Sequence, residues 1–92
     1  MAGKAQTKID TIVMYTTSWC SDCHRAKYIF DEFGIEYVNI DVDQNPEALA
    51  FVRSVNNGKR VVPTIVFPDD SILVEPSNTI LAEKVGIDLA QL

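Results

Sequence analysis

Apolar runs of strand length alternate along this chain of 92 residues with segments in which apolar residues return at helical spacing. Residues 12–15 form the first run, and their richness in β-forming side chains predicts a buried strand. After a polar stretch, apolar residues recur at i, i+3, i+4 and i+7, which marks one face of a helix: Ala26, Ile29, Phe30 and Phe33. Polar residues beside Cys20 suit the start of this helix and Gly34 suits the position after its end, so we predict a helix from about Cys20 to about Phe33.

A second strand and a second helix are predicted downstream. Residues 35–40 are β-branched and aromatic, and they follow the first helix by a connection short enough for a right-handed crossover. The first two strands should therefore be parallel. Asn45 and Pro46 supply an N-cap and a first-turn proline for the second helix. Its apolar positions again repeat at i, i+3, i+4 and i+7: Ala48, Phe51, Val52 and Val55.

The last third of the chain predicts a hairpin and a final helix. Residues 61–67 have strand composition, and Pro63 is expected at the first residue of that strand because proline cannot donate to a ladder. A turn joins this strand to the apolar residues 72–74, which suggests an antiparallel hairpin. Ser77 can cap a last helix that ends before Gly86.

These elements run in the order β-α-β-α-β-β-α, which predicts a four-stranded mixed sheet with helices available for both faces, a small α/β fold. The content of 47% hydrophobic and 23% charged residues fits one compact domain over residues 1–92. Residues 1–10 are expected to form a mobile polar leader.

Charge and hydropathy narrow the classes of function. Eight Lys and Arg against thirteen Asp and Glu give a formal net charge of −5, which disfavours nucleic acid and anionic lipid as partners. No apolar stretch approaches the ~18 residues that span a bilayer, and residues 1–10 lack the apolar region of a secretory signal. We therefore expect a soluble, cytoplasmic protein with no nucleic-acid and no membrane partner.

The two cysteines of the chain, Cys20 and Cys23, form a Cys-x-x-Cys motif at the predicted junction of the first strand and the first helix. The free N–H groups and the positive dipole end of a helix N-terminus stabilise a thiolate on the first cysteine. Cys20 is then the nucleophile. Cys23 lies one turn deeper, on the apolar face of the helix, and would act as the resolving thiol. This chemistry needs no metal and no bound prosthetic group.

Three other interpretations of the cysteines compete with this one. Cys20, Cys23 and His24 spell the attachment pattern of a c-type haem, which requires export and usually a distant axial ligand. A zinc site needs three or four ligands, and nothing else pairs with these residues at zinc-finger spacing. Inert structural cysteines favour apolar surroundings, whereas these lie among Ser, Asp, Trp and His. The redox interpretation therefore fits the sequence best, and His24 is expected on the surface of the helix.

Several motifs occur together in an order and spacing that resemble the glutaredoxins of the thioredoxin-fold superfamily. They are Tyr15-Thr16-x-x-x-Cys20-x-x-Cys23-His24-Arg25-Ala26-Lys27, then Gly34-Ile35, then Asn57-Gly58-Lys59-Arg60-Val61-Val62-Pro63-Thr64. The resemblance runs over residues 11–85 and implies a thioredoxin-like fold. It also implies that the Val62-Pro63 peptide is cis and lies opposite Cys20, where the Val62 backbone can pair with a bound thiol peptide.

The sequence departs from glutathione-dependent members at two places. Ser21-Asp22 stands where that family usually has Pro-Tyr, and residues 75–78 stand where it usually has Gly-Gly-x-Asp for the γ-glutamyl end of glutathione. Trp19, residues 51–56 and the Asp70-Ser71-x-Leu73 segment look most like mycoredoxins, the glutaredoxin-like proteins that serve mycothiol.

Charged, aromatic and loop residues complete the candidate site. Asp22, between the cysteines, is expected to oppose the Cys20 thiolate and so to tune it. Lys59 and Arg60 form the basic pair nearest to the Val-Pro motif and are expected to meet a carboxylate of an anionic thiol. The motifs and the resemblance together assign binding of the thiol or its client to Trp19, Lys27, Arg60, Val62, Pro63, Ser77 and Asn78.

The resemblance implies a thiol-disulfide oxidoreductase that reduces protein mixed disulfides, with a low-molecular-weight thiol, mycothiol or glutathione, as co-substrate. We expect a monomer, with a flavin disulfide reductase as a candidate source of electrons. Two alternatives are a carrier of a thiol-ligated [2Fe-2S] cluster and a general, thioredoxin-like disulfide reductase. A third is a regulatory protein of the same fold, although its known examples are longer and lack the Val-Pro motif.

Overall fold

A computed structural model describes residues 11–92. The expected polar leader, residues 1–10, lies outside the described residues. The strands are β1 (Ile12–Thr16), β2 (Tyr37–Asp41), β3 (Thr64–Val66) and β4 (Ile72–Val74). The helices are α1 (Ser21–Glu32), α2 (Pro46–Val55) and α3 (Asn78–Val85), with short 3-10 helices at Val42–Gln44 and Leu89–Gln91.

The four strands form one mixed sheet in the order β2-β1-β3-β4. β1 pairs with β2 in parallel, as a right-handed crossover through α1 requires, and Ile12 lies beside Tyr37. β3 runs antiparallel to both β1 and β4, and Met14 lies beside Ile65. The predicted α/β fold with a four-stranded mixed sheet is confirmed.

Two apolar clusters flank the sheet. The larger joins β1 and β3 to α1 and α3, and its buried members are Met14, Ala26, Ile29, Phe30, Ile65, Phe67 and Leu81. The smaller joins α2 to the loops that carry the cysteines and the cis proline, and its buried members are Cys20, Cys23, Val42, Ala48, Val52 and Val62. Both cysteines therefore belong to a packed layer, which fixes their backbone against the sheet.

The helix ends follow the local signals of the sequence. Cys20 is the N-cap of α1, and Gly34 follows its end with φ of 67°, a left-handed conformation that glycine adopts without a Cβ penalty. The Asn45 side chain caps α2 by accepting a hydrogen bond from the Ala48 N–H at 3.0 Å. Ser77 does the same for α3, with the Ile80 N–H at 3.2 Å.

Two strands are shorter than the sequence suggests. β2 begins at Tyr37 rather than at Ile35, because the Ile35 N–H donates back to the Phe30 carbonyl at 2.8 Å and closes the end of α1. β3 begins at Thr64, directly after Pro63, because residues 61–63 leave the ladder and turn toward the cysteines. Within residues 11–92, no helix is long and apolar enough to cross a membrane.

Candidate active site

Cys20 lies at the point where the loop after β1 enters α1. Its backbone is extended, with φ of −90° and ψ of 113°, and its sulfur accepts a hydrogen bond from the Cys23 N–H at 3.1 Å. The sulfur thus takes the place of the oxygen that Ser or Asp offers at a helix N-cap. A negative charge on this sulfur is stabilised by the N–H and by the positive end of the helix dipole.

The Cys20 sulfur also faces the loop before β3. It lies 3.7 Å from the Val62 carbonyl oxygen, and the Val62-Pro63 peptide is cis. Cys20 is 7% exposed and is therefore mostly buried, but it is one of the residues that line a surface groove. The Pro63 carbonyl accepts a hydrogen bond from the Glu75 N–H at 2.9 Å, which ties this loop to the end of β4.

Cys23 has a different environment from that of Cys20. It is fully buried. Burial, together with the hydrogen bond and charge of Cys20, raises the pKa of the Cys23 thiol to about 12, and this outweighs the opposing effects of a Thr17 backbone hydrogen bond and of Lys27. Cys23 therefore keeps its proton at neutral pH, and it is the more enclosed of the two sulfurs.

A groove of about 430 Å³ opens over the Cys20 sulfur. The residues lining it come from the α1 entrance, the cis-proline loop and the end of β4: Trp19, Cys20, Ser21, Asp22, Arg60, Val61, Val62 and Glu75. Trp19 is 63% exposed, so it stands as a wall of the groove rather than packing under the loop. This arrangement leaves room beside the sulfur for a peptide or a small thiol.

The Asp43 carboxylate, which the sequence analysis did not assign to the site, connects two residues that line the groove, Trp19 and Arg60. It accepts a hydrogen bond from the Trp19 indole N–H at 3.0 Å and pairs with the Arg60 guanidinium at 2.8 Å. The Arg60 guanidinium lies 5.6 Å from the centre of the Trp19 ring. Because β1 and β2 are parallel, their ends meet at one edge of the sheet, and the acidic residues after β2 could have been placed there from the sequence.

Arg25 is a second polar centre whose contacts the sequence did not indicate. It pairs with Asp22 at 3.3 Å, donates to the Pro76 carbonyl at 3.4 Å and also contacts the Asn78 side-chain oxygen. The arginine therefore links the first turn of α1 to the start of α3. Ser77 and Asn78, expected to bind the thiol, lie at this junction, where Ser77 caps α3.

The remaining candidate residues lie outside the groove. Lys27 is half-buried on α1, and Lys59 is exposed in the loop that leads to Arg60. His24 is exposed, as expected, and its Nε2 lies 3.0 Å from the Ser18 carbonyl oxygen, so it braces the loop before Cys20. Within the part of the chain that the structure describes, no three His, Cys, Asp or Glu side chains converge as metal ligands.

Asp22→Asn is expected to make the Cys20-Cys23 couple more oxidising by about 10 to 20 mV, since a partly exposed carboxylate opposes a nearby thiolate by about 0.5 to 1 kcal/mol. Without that charge the reduced form gains stability. Arg25→Gln should move the potential in the opposite direction, because Arg25 supplies the countercharge. Redox equilibration of both variants against a dithiol buffer measures the shifts, and an unchanged or more reducing Asp22→Asn protein would contradict the tuning role.

The chain is similar in sequence to known proteins. The family model described as Glutaredoxin matches residues 12–72. Rv3198A of Mycobacterium tuberculosis, which bears a provisional glutaredoxin name, is 46% identical over 66 residues, 72% of this chain and 79% of that protein. Mycoredoxin 1 of Corynebacterium glutamicum is 40% identical over 68 residues, 74% of this chain and 84% of that protein.

A solved structure confirms the fold assignment. A variant of the thioredoxin-like protein BC3987 superposes with a TM-score of 0.75 over 87% of this chain and 100% of that one, and at 18% identity this likeness concerns the fold alone. The expected thioredoxin-like fold and the resemblance to glutaredoxins are both confirmed. The match over residues 12–72, the 40–46% identity to these relatives and the paired cysteines establish that the chain belongs to the glutaredoxin family, whose members are thiol-disulfide oxidoreductases.

Proposed function

We propose that this protein reduces mixed disulfides between client proteins and a low-molecular-weight thiol of the mycothiol type, with Cys20 as the nucleophile and Cys23 as the resolving thiol. The observation that carries the proposal is the contrast between the two sulfurs. Cys20 caps a helix at the floor of an open groove, whereas Cys23 is fully buried with a raised pKa. The 40% identity to Mycoredoxin 1 favours mycothiol over glutathione.

In the first step the Cys20 thiolate attacks the sulfur of the small thiol in the mixed disulfide. The bond between client and small thiol breaks, the client sulfur leaves as a thiolate and takes a proton from water, and a disulfide forms between Cys20 and the small thiol. The N–H of Cys23 and the helix dipole stabilise the attacking thiolate. The client is reduced at this point.

In the second step another molecule of the small thiol attacks the adduct, which releases a symmetrical disulfide and regenerates the Cys20 thiolate. Alternatively, Cys23 loses its proton and attacks Cys20, and the small thiol leaves. The resulting Cys20-Cys23 disulfide then needs two electrons from a reductase, for which a flavin disulfide reductase is the candidate. We place the protein in the cytoplasm as a monomer, because the cycle needs reduced thiols and only one chain.

We place the client peptide along the Val62 edge of the groove. The Val62 carbonyl already faces the Cys20 sulfur at 3.7 Å, while Pro63 keeps this segment out of the β3 ladder. Trp19 and Arg60 would form the wall against which the small thiol rests. Lys27, Ser77 and Asn78 would act at a distance, Lys27 through its charge and the other two through the Arg25 junction.

Reduction of a mixed-disulfide substrate with mycothiol, with glutathione and with thioredoxin reductase, assayed in parallel, tests the proposal. Mycothiol should support turnover at a kcat/KM at least about tenfold above that with glutathione, a difference of about 1.4 kcal/mol in transition-state binding. Turnover with thioredoxin reductase alone would instead indicate a general disulfide reductase. A coloured, dimeric preparation would indicate a [2Fe-2S] carrier.

A further inference from the structure

The charges around the groove are largely paired within the chain itself. Arg60, which the sequence offered as a receptor for the carboxylate of an anionic thiol, already holds a carboxylate, that of Asp43 at 2.8 Å. The same carboxylate accepts the Trp19 indole N–H at 3.0 Å, so Asp43 is held from two directions. The Arg60 guanidinium is further fixed by its position 5.6 Å from the Trp19 ring centre.

The balance of these charges is negative. Asp22 is paired with Arg25, and Asp43 with Arg60. Glu75 lines the same groove and forms no ion pair with the residues that the structure describes. Of the charged residues that line the groove, two are carboxylates, Asp22 and Glu75, and one is a guanidinium, Arg60, and a thiolate on Cys20 adds a further negative charge. Lys59, although close in sequence, does not line the groove.

We propose that Asp43 is a specificity-determining residue, which holds Arg60 away from the carboxylates of anionic thiols and so leaves a groove that favours an uncharged, hydroxyl-rich thiol. The inference rests on the proposed function and gives it a physical basis. Glutathione carries carboxylates at both ends, whereas mycothiol is an uncharged sugar-linked thiol. A groove with a net negative charge repels glutathione and has no such effect on mycothiol. Like charges placed close together are a common means by which proteins reject a wrong partner.

Asp43→Asn is the informative substitution because it removes the charge with little change of shape. The amide oxygen of Asn can still accept the Trp19 indole N–H, so the wall of the groove is retained while Arg60 loses its countercharge. Arg60→Gln and the double variant complete a cycle. Glu36→Gln changes the net charge by the same amount at the far end of β2 and serves as the matched control.

The rate of the first attack is measured with three symmetrical disulfides: oxidised glutathione, bis(2-hydroxyethyl) disulfide and cystamine, which are anionic, uncharged and cationic. Cys20 attacks one sulfur, the S–S bond breaks, and the other half leaves as a thiol. Quenching by alkylation followed by mass spectrometry gives the second-order rate constant. Dividing the rate constant of each variant by that of the wild-type protein cancels the intrinsic reactivity of each disulfide.

Relative to the uncharged disulfide, Asp43→Asn should raise the rate with oxidised glutathione about three- to tenfold and lower the rate with cystamine. The gain should shrink at 1 M salt, where the screening length is about 3 Å. It should also vanish in the double variant, since the freed guanidinium of Arg60 is its source. A purely structural role for Asp43 would slow all three disulfides alike and show no such dependence on charge.

Equal effects on the three disulfides, or the same change in Glu36→Gln, would overturn the inference. These measurements use no mycothiol and no reductase, so they stand apart from the test of the proposed function. If mycothiol fails to support turnover while the charge pattern appears, the proposed co-substrate is wrong and the role of Asp43 holds. If mycothiol supports turnover and the pattern is absent, the proposed function holds and the role of Asp43 does not.

Discussion

Cys20→Ser should lower mixed-disulfide reduction on the order of a thousandfold or more, whereas Cys23→Ser should retain a substantial part of it. The reason is that Cys20 alone combines an opening to the groove with the N–H and the dipole of a helix N-terminus. Serine is itself a good N-cap, so the first substitution removes the nucleophile and keeps the helix start. In the second, another molecule of the small thiol can still release the adduct from Cys20.

Steady-state reduction of a mycothiol or glutathione mixed disulfide measures both variants, and thermal unfolding shows whether each retains its fold. Cys23→Ala provides a second probe of the buried position, because a serine hydroxyl placed there needs a hydrogen-bond partner. Ser54→Ala, exposed near the end of α2 and outside the groove, is the control that should stay close to wild type. Equal loss in the Cys20 and Cys23 variants would show that both thiols are obligatory and would exclude the one-cysteine route.

The order and the type of the main elements could be predicted from the sequence because their signals are local. Asn45 and Pro46 mark the start of α2 within two residues, and Gly34 marks the end of α1 by its left-handed backbone. The parallel pairing of β1 and β2 followed from the short connection around α1. Each of these signals depends on neighbouring residues and needs no knowledge of the tertiary structure.

The partners of the charged side chains were not predictable in this way. Asp43 lies 24 residues from Trp19 and 17 from Arg60, and Arg25 lies 53 residues from Asn78. Nothing in the spacing of these residues selects one partner over the other acidic and basic residues of the chain. The pairs form because strand ends and helix starts meet at one edge of the sheet. The sequence suggested that Arg60 is available to an anionic thiol, and only the tertiary structure shows that Asp43 already pairs with it.

The contact between Val62 and Cys20 was predicted, but not from local sequence signals. The two residues are 42 positions apart, and their juxtaposition was implied by the family resemblance rather than by periodicity. The ends of β3 were less well predicted, since the apolar composition of residues 61–67 suggested a longer strand than Thr64–Val66. Val61 and Val62 instead line the groove beside Cys20. These apolar residues before the proline therefore belong to the candidate active site and not to the hydrogen-bonded strand β3.

The rate at which Cys23 closes on an adduct at Cys20 should rise about tenfold per pH unit between pH 7 and pH 8, because only the thiolate of Cys23 attacks. In the reduced protein the pKa of Cys23 is about 12, and burial is the largest cause. The adduct lacks the charge and the hydrogen bond of Cys20 but keeps Cys23 buried, so the pKa of Cys23 stays above its ordinary value. The thiolate fraction therefore grows steadily over this range without levelling off.

Isolating the Cys20 adduct and following release of the small thiol from pH 6 to pH 10 measures this rate. The Cys23→Ser protein, supplied with free small thiol, is the control, and its rate should level off near the pKa of the added thiol. Lys27→Gln should slow closure further, since the Lys27 charge lowers the pKa of Cys23. A closure rate that reaches its plateau below pH 8 would show that Cys23 is not held protonated by burial.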